Sequence, residues 1–105
     1  MAVSTETFKR LLWWLIAGTR GGRSRGKIIL ILKERPSNAS QLADRLKMDY
    51  KTIRHHLDVL SENKLIVKMG EKYAATYFLS PQLDLQYNVF QEIWLKLEKE
   101  EKIKK

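Results

Sequence analysis

The chain of 105 residues contains no cysteine, which excludes disulfides, thiolate metal sites and cysteine nucleophiles. Its two histidines, His55 and His56, are adjacent. Neighbouring residues on a helix point about 100° apart, and a zinc site draws on about three or more convergent ligands. No metal site and no cofactor are therefore expected. Proline occurs twice, at Pro36 and Pro81, each where the hydrophobic pattern changes. No repeat of fixed period is present, and no apolar run approaches the ~20 residues that span a bilayer. The longest, residues 11–17, follows Lys9 and Arg10 as in a signal peptide, but Arg20, Arg23 and Arg25 come directly after it. Positive charge in that place opposes export, so a cytoplasmic protein without a membrane segment is expected. The acidic residues are scattered, and no nucleophile–base pair or paired-carboxylate site stands out. An enzyme is not expected.

What is abundant is positive charge. Twenty Lys and Arg against twelve Asp and Glu leave +8, a balance that favours polyanionic partners. Residues 1–35 carry +6 of that excess. The length suits one domain, long enough to bury roughly two-thirds of its unfolded surface without staples.

Phe8, Leu11, Leu12, Leu15 and Ile16 recur at helical spacing and predict a helix over about 5–17. Trp13 and Trp14 spread its apolar surface nearly all the way round. The glycines of GTRGGRSRG break that helix, and a second is expected from Ser24 or Arg25 to Lys33. That basic string lacks the spacing of a phosphate-binding loop, and no strand precedes it. Asn38, with Gln41 three positions on, has the spacing of a capping box. Leu42, Ala43 and Leu46 form the buried stripe of the short helix it opens. Asp49 caps the next helix, over about 50–62, whose inner face is Ile53, Leu57 and Leu60. Residues 65–67 and 73–79 then read as β-strands around a turn at 69–72. A last helix follows over about 82–102, where Leu83, Tyr87, Phe90, Trp94 and Leu97 are spaced as a heptad seam.

Helix, helix, tight turn, helix and hairpin is the winged helix-turn-helix order. Residues 38–80, NASQLADRLKMDYKTIRHHLDVLSENKLIVKMGEKYAATYFLS, resemble the DNA-binding core of ArsR-type winged-helix transcription regulators, particularly compact archaeal ones. The resemblance lies in the Gln-Leu-Ala opening, the Thr-Ile-x-x-His-Leu helix, the Leu-x-x-Asn-x-Leu-Ile exit and a Tyr-containing wing. Its most specific part is Lys51-Thr52-Ile53-Arg54-His55-His56-Leu57. The expected fold is thus mainly α with a small β-hairpin, a single domain over 1–105. It would carry a helix-turn-helix at about 38–63, a wing at about 65–80 and extra terminal helices for dimerisation.

A recognition helix must present groups that reach phosphates and base edges. With Ile53, Leu57 and Leu60 turned inward, Tyr50, Lys51, Thr52, Arg54 and His55 are the expected DNA contacts on the outer face. Ser40 and Gln41 open the preceding helix, whose N–H groups favour phosphate. Lys68 and Lys72 flank the hairpin tip, and Arg20, Arg23 and Arg25 are expected beside the helix-turn-helix on phosphate. The bland alternative for each of these is a solvated basic surface. His56 borders the inner face and reads as a packed, hydrogen-bonded histidine, and Tyr73 and Tyr77 as packing residues of a strand. In the resembling family the first and last helices pair across a two-fold axis. The resemblance so implies a homodimer interface of Phe8, Leu12, Leu15, Phe90, Trp94 and Leu97, completion of a monomeric core being the alternative. Two functions fit: a sequence-specific regulator on double-stranded DNA, and a winged-helix protein-interaction module of a transcription or chromatin assembly. Metal-sensing members of the family commonly use cysteines that this chain lacks. An effector would be a small apolar ligand or a protein partner at the terminal helices, with constitutive binding as the alternative.

Overall fold

The computed structural model describes residues 4–104, except for the side chains of 102–104. Helix α1 (Thr5–Leu12) starts at Ser4, whose hydroxyl accepts the Thr7 N–H at 3.2 Å. It passes without a break into a π-helical turn, Trp13–Ala17, closed by the Gly18 N–H, which donates to the carbonyls of Trp13 and Trp14. Helix α2 (Gly22–Glu34) begins two residues earlier than the glycine pattern suggests. Gly22 is what permits this: a Cβ there would fall 2.0 Å from the Ile16 carbonyl oxygen. The start of α2 is thereby pressed directly on the π turn.

Strand β1 (Ser37–Asn38) leads into α3 (Ala39–Leu46). The capping box is complete: Asn38 Oδ1 accepts the Gln41 N–H and Gln41 Oε1 accepts the Asn38 N–H, both at 2.8 Å. Lys47, left-handed at φ 55°, ends α3 and makes the turn into α4 (Tyr50–Glu62). There Asp49 Oδ2 accepts the Thr52 N–H at 3.3 Å. Strands β2 (Ile66–Met69) and β3 (Thr76–Leu79) form the wing, joined by a short 3₁₀ turn at Lys72–Ala74. The sheet is antiparallel in the order β1-β3-β2, with Ser37 opposite Tyr77 and Met69 opposite Thr76. The hairpin that the β-rich runs predict thus gains a third strand, and its second strand starts at Thr76 instead of Tyr73. Helix α5 (Pro81–Leu85), capped by Ser80, stops at Gln86, and α6 (Tyr87–Lys104) follows. The expected seam is broken there: Leu83 lies on α5 and the other four residues on α6.

This is the winged helix-turn-helix architecture. Its core gathers Ile28 and Ile29 of α2, Leu42 of α3, Ile53, Leu57 and Leu60 of α4, and Leu65 and Ile66 at the wing. The same core takes in Phe8, Leu12 and Leu15 from the first helix and Phe90 and Leu97 from α6, all buried. These five residues were expected at a dimer interface, and burial inside one protomer overturns that assignment. Of the six, Trp94 alone keeps partial exposure, its indole packed against Gly26. Apolar periodicity marks which face is buried but does not say which neighbour buries it. Among the described residues no helix is long and apolar enough to cross a membrane.

Candidate nucleic-acid interface

The tight turn at Lys47 and the Asp49 cap project α4 from the body with two polar stripes. Lys51, Thr52 and His55 are exposed and share the outward face. Tyr50, Arg54 and Asp58, four residues apart, form the second stripe, which faces the wing. Together with Lys72 and Tyr73 they line a groove of about 600 Å³ between α4 and the wing tip. Arg54 Nη1 donates to the Tyr50 hydroxyl at 3.4 Å, and this bond is the main cause that raises the guanidinium above its ordinary pKa. Among the described residues Arg54 Nε has no hydrogen-bond partner. The rings of Tyr50 and Tyr73 lie 6.3 Å apart, tilted by 42°.

The remaining candidates divide. Lys68 is exposed on β2, an outer strand of the sheet, and Lys72 stands at the wing tip in a left-handed conformation, φ 51°. Ser40 and Gln41 are exposed at the opening of α3, although the Gln41 carbonyl oxygen is committed to the cap. Arg20 is exposed in the turn before α2. Arg23 reaches the other way, donating to Glu101 Oε2 at 3.0 Å and to the Leu97 carbonyl on α6. Arg25 contradicts its expected role outright. It is 5% exposed, so no phosphate can reach it. Its guanidinium donates to the Leu15 carbonyl from Nε at 3.1 Å and Nη2 at 2.9 Å, to Thr19 Oγ1 and to the Arg20 carbonyl, and it faces His56 Nδ1 at 3.4 Å. Burial lowers the pKa of Arg25. His56, buried as its position suggests, is held below its ordinary value by desolvation, then by Arg25 and His55. Arg25 thus serves the fold: it fastens the π turn to the buried side of α4.

Tyr73 is the residue that the strand pattern conceals. It is 77% exposed at the wing tip, whereas Tyr77, on β3, is buried. The one available signal was its nearness to Gly70, since a residue three positions past a turn glycine need not have entered the ladder. Among the described residues no three His, Cys, Asp or Glu side chains gather as a metal site.

Residues 18–78 match the family described as the N-terminal domain of methanogenesis regulatory protein FilR1. The chain belongs to this family. No curated protein matches it. Among solved structures it is similar to the transcriptional regulator BldR from Sulfolobus solfataricus, with a TM-score of 0.67 and 14% identity over 90% of this chain and 71% of that one. It is also similar to HlyU from Vibrio cholerae, with a TM-score of 0.63 and 15% identity over 89% and 99%. ZitR from Lactococcus lactis gives 0.57 and 23% over 71% of this chain, which spans only 51% of the ZitR chain. At these identities the likeness is one of fold. Membership of the FilR1 N-terminal family adds to it a kinship with a regulatory protein.

Proposed function

We propose that this protein is a sequence-specific, double-stranded-DNA-binding transcription regulator of the ArsR-like kind that acts as a homodimer. The observation that carries this reading is the outward face of α4, where Lys51, Thr52 and His55 stand exposed with Arg54 beside them, next to a wing bearing Lys68 and Lys72. A helix so furnished at the edge of a tight turn suits the major groove, and a cationic wing suits the flanking backbone. Ser40 and Gln41 add the opening turn of α3, and Arg20 a further cation. The net charge of +8 supports the same partner.

The dimer interface is proposed anew on what remains outside the core. Trp13, Trp14 and Leu95 are large, apolar and exposed, and Trp94 with Leu30 borders an apolar groove of about 300 Å³ between α2 and α6. A second copy covering this side would set two recognition helices about 34 Å apart on one face of the duplex and call for a two-fold-related site.

One observation favours the second reading, a protein-interaction module: Asp58 lines the same groove as Arg54. Selection from a randomised duplex library at about 150 mM salt separates the two. Enrichment of a two-fold-related motif supports the regulator. Retention without a motif reduces the role to nonspecific coating, and no retention gives the interaction module first place.

A further inference from the structure

Three features of the wing converge. The tip backbone is held in a sparsely populated conformation, since Lys72 is a non-glycine residue at φ 51°. Tyr73, the next residue, is among the most exposed large side chains, yet it does not hang free: its ring meets that of Tyr50 on α4 at 6.3 Å. Tyr50 in turn holds Arg54 through its hydroxyl, which leaves the Arg54 Nε–H unpaired beside the groove. Strain, an exposed aromatic and a guanidinium with one buried, unpartnered N–H thus meet around one groove of about 600 Å³. A residue that served only packing would be covered. A residue that served only solubility would not be a phenol.

We propose that Tyr73 is a DNA-contacting residue and that the groove between it and Arg54 seats the sugar–phosphate backbone of one DNA strand. The proposal rests on the DNA-binding reading above and deepens it. Arg54 and Lys72 supply charge to the phosphate, while the Tyr73 ring lies against the sugar or base edge, a contact that does not depend on ion release. Tyr50 is a positioning residue, which braces Tyr73 with its ring and Arg54 with its hydroxyl. Wing and recognition helix then bind as a single surface. Asp58, on the same stripe, repels a phosphate placed too deep and so sets how far the backbone enters.

The test uses the full chain and a duplex recovered from library selection, with affinity measured across a salt series. Tyr73→Ala weakens binding about tenfold and leaves the salt slope unchanged, whereas Tyr73→Phe keeps most of the affinity. Arg54→Met lowers the slope by about 0.9, the loss of one phosphate contact. Tyr50→Phe, which keeps the ring but frees Arg54, moves the slope in the same direction with Tyr73 intact. Tyr73 is exposed, so its variants are expected to fold, and unchanged thermal unfolding checks this. Wild-type affinity in Tyr73→Ala overturns the contact, and an unchanged slope in Arg54→Met overturns the phosphate seat. If the wild-type chain retains no duplex at all, the DNA-binding reading itself fails, an outcome separate from both.

Discussion

Nη1 of Arg25 stands 3.4 Å from Nδ1 of His56 in the interior. A guanidinium only donates, so Nδ1 must accept and His56 is the neutral imidazole with its proton on Nε2. The pair joins α2 to α4 behind the face proposed to meet DNA, which makes the seating of α4 sensitive to the charge on one histidine.

That arrangement predicts a pH dependence of stability. His56 has its folded pKa below its ordinary value of 6.5, through burial first and the neighbouring Arg25 second. The unfolded chain therefore takes up the proton before the folded one. The stabilisation is present in full above 6.5 and is lost as the pH falls toward and through the lowered value. Thermal unfolding followed from about pH 8 to about pH 5 should show the wild type losing more stability than His56→Gln, which keeps a polar side chain but does not titrate. Equal slopes for the two proteins would remove His56 as the titrating group.

Replacing Arg25 should harm the fold and spare DNA electrostatics. Arg25→Met leaves the Leu15 carbonyl without its donor in a buried place and should cost about 2–4 kcal/mol in urea unfolding. The salt slope of DNA binding by the variant that remains folded should match the wild type, because the buried guanidinium meets no phosphate.

Gly26 gives a second packing test. A Cβ at this position would lie 2.2 Å from Cζ3 of Trp94, so Gly26→Ala must push the indole off α2. The expected loss is about 1–3 kcal/mol, accompanied by a change in tryptophan fluorescence. Unaltered stability would mean that α6 sits less closely on α2 than the structure has it.

On the face proposed to bind DNA, Lys51→Gln should weaken association with all duplexes alike and lower the salt slope by about 0.9. Specificity for the selected motif should be unchanged. A variant that instead altered the preferred sequence would make Lys51 a base reader.

The dimer makes its own prediction. Trp14, 57% exposed, belongs to the side proposed for the second copy, so Trp14→Ser should shift sedimentation equilibrium toward the 12.4 kDa protomer while the fold survives. Phe8→Ser or Phe90→Ser should unfold the chain instead, since each is buried within one protomer. A wild type that sediments as a single 12.4 kDa species at micromolar concentration would remove the dimer altogether.

The legible parts of this molecule are those set by local chemistry. The Asn38–Gln41 box, the Asp49 cap and the inward Ile53, Leu57 and Leu60 locate α3 and α4 within their own few residues. Long-range neighbours were not legible. Arg25 reads as a solvated cation in a glycine-rich string because its acceptors, Leu15 and His56, lie 10 and 31 positions away. Leu12 and Phe90 read as surplus apolar surface because the pattern does not reveal that they fill one core. Ser37–Asn38 is too short to show a strand period, and Tyr73 imitates one by standing near Tyr77.

The π turn at Trp13–Ala17 has a consequence for helix phase. Such a turn holds one residue more than the α-helical turn it replaces, so whatever follows lags a plain α-helix of the same sequence by about 100° around the axis. Within it Leu15 and Ile16 lie buried while Trp13 and Trp14 stay outside. It also leaves the Leu15 carbonyl turned toward Arg25. Wound as a plain α-helix of the same sequence, this stretch would turn that carbonyl away from Arg25, so the tie that Arg25 makes between the first helix and His56 of α4 hangs on a single-residue offset.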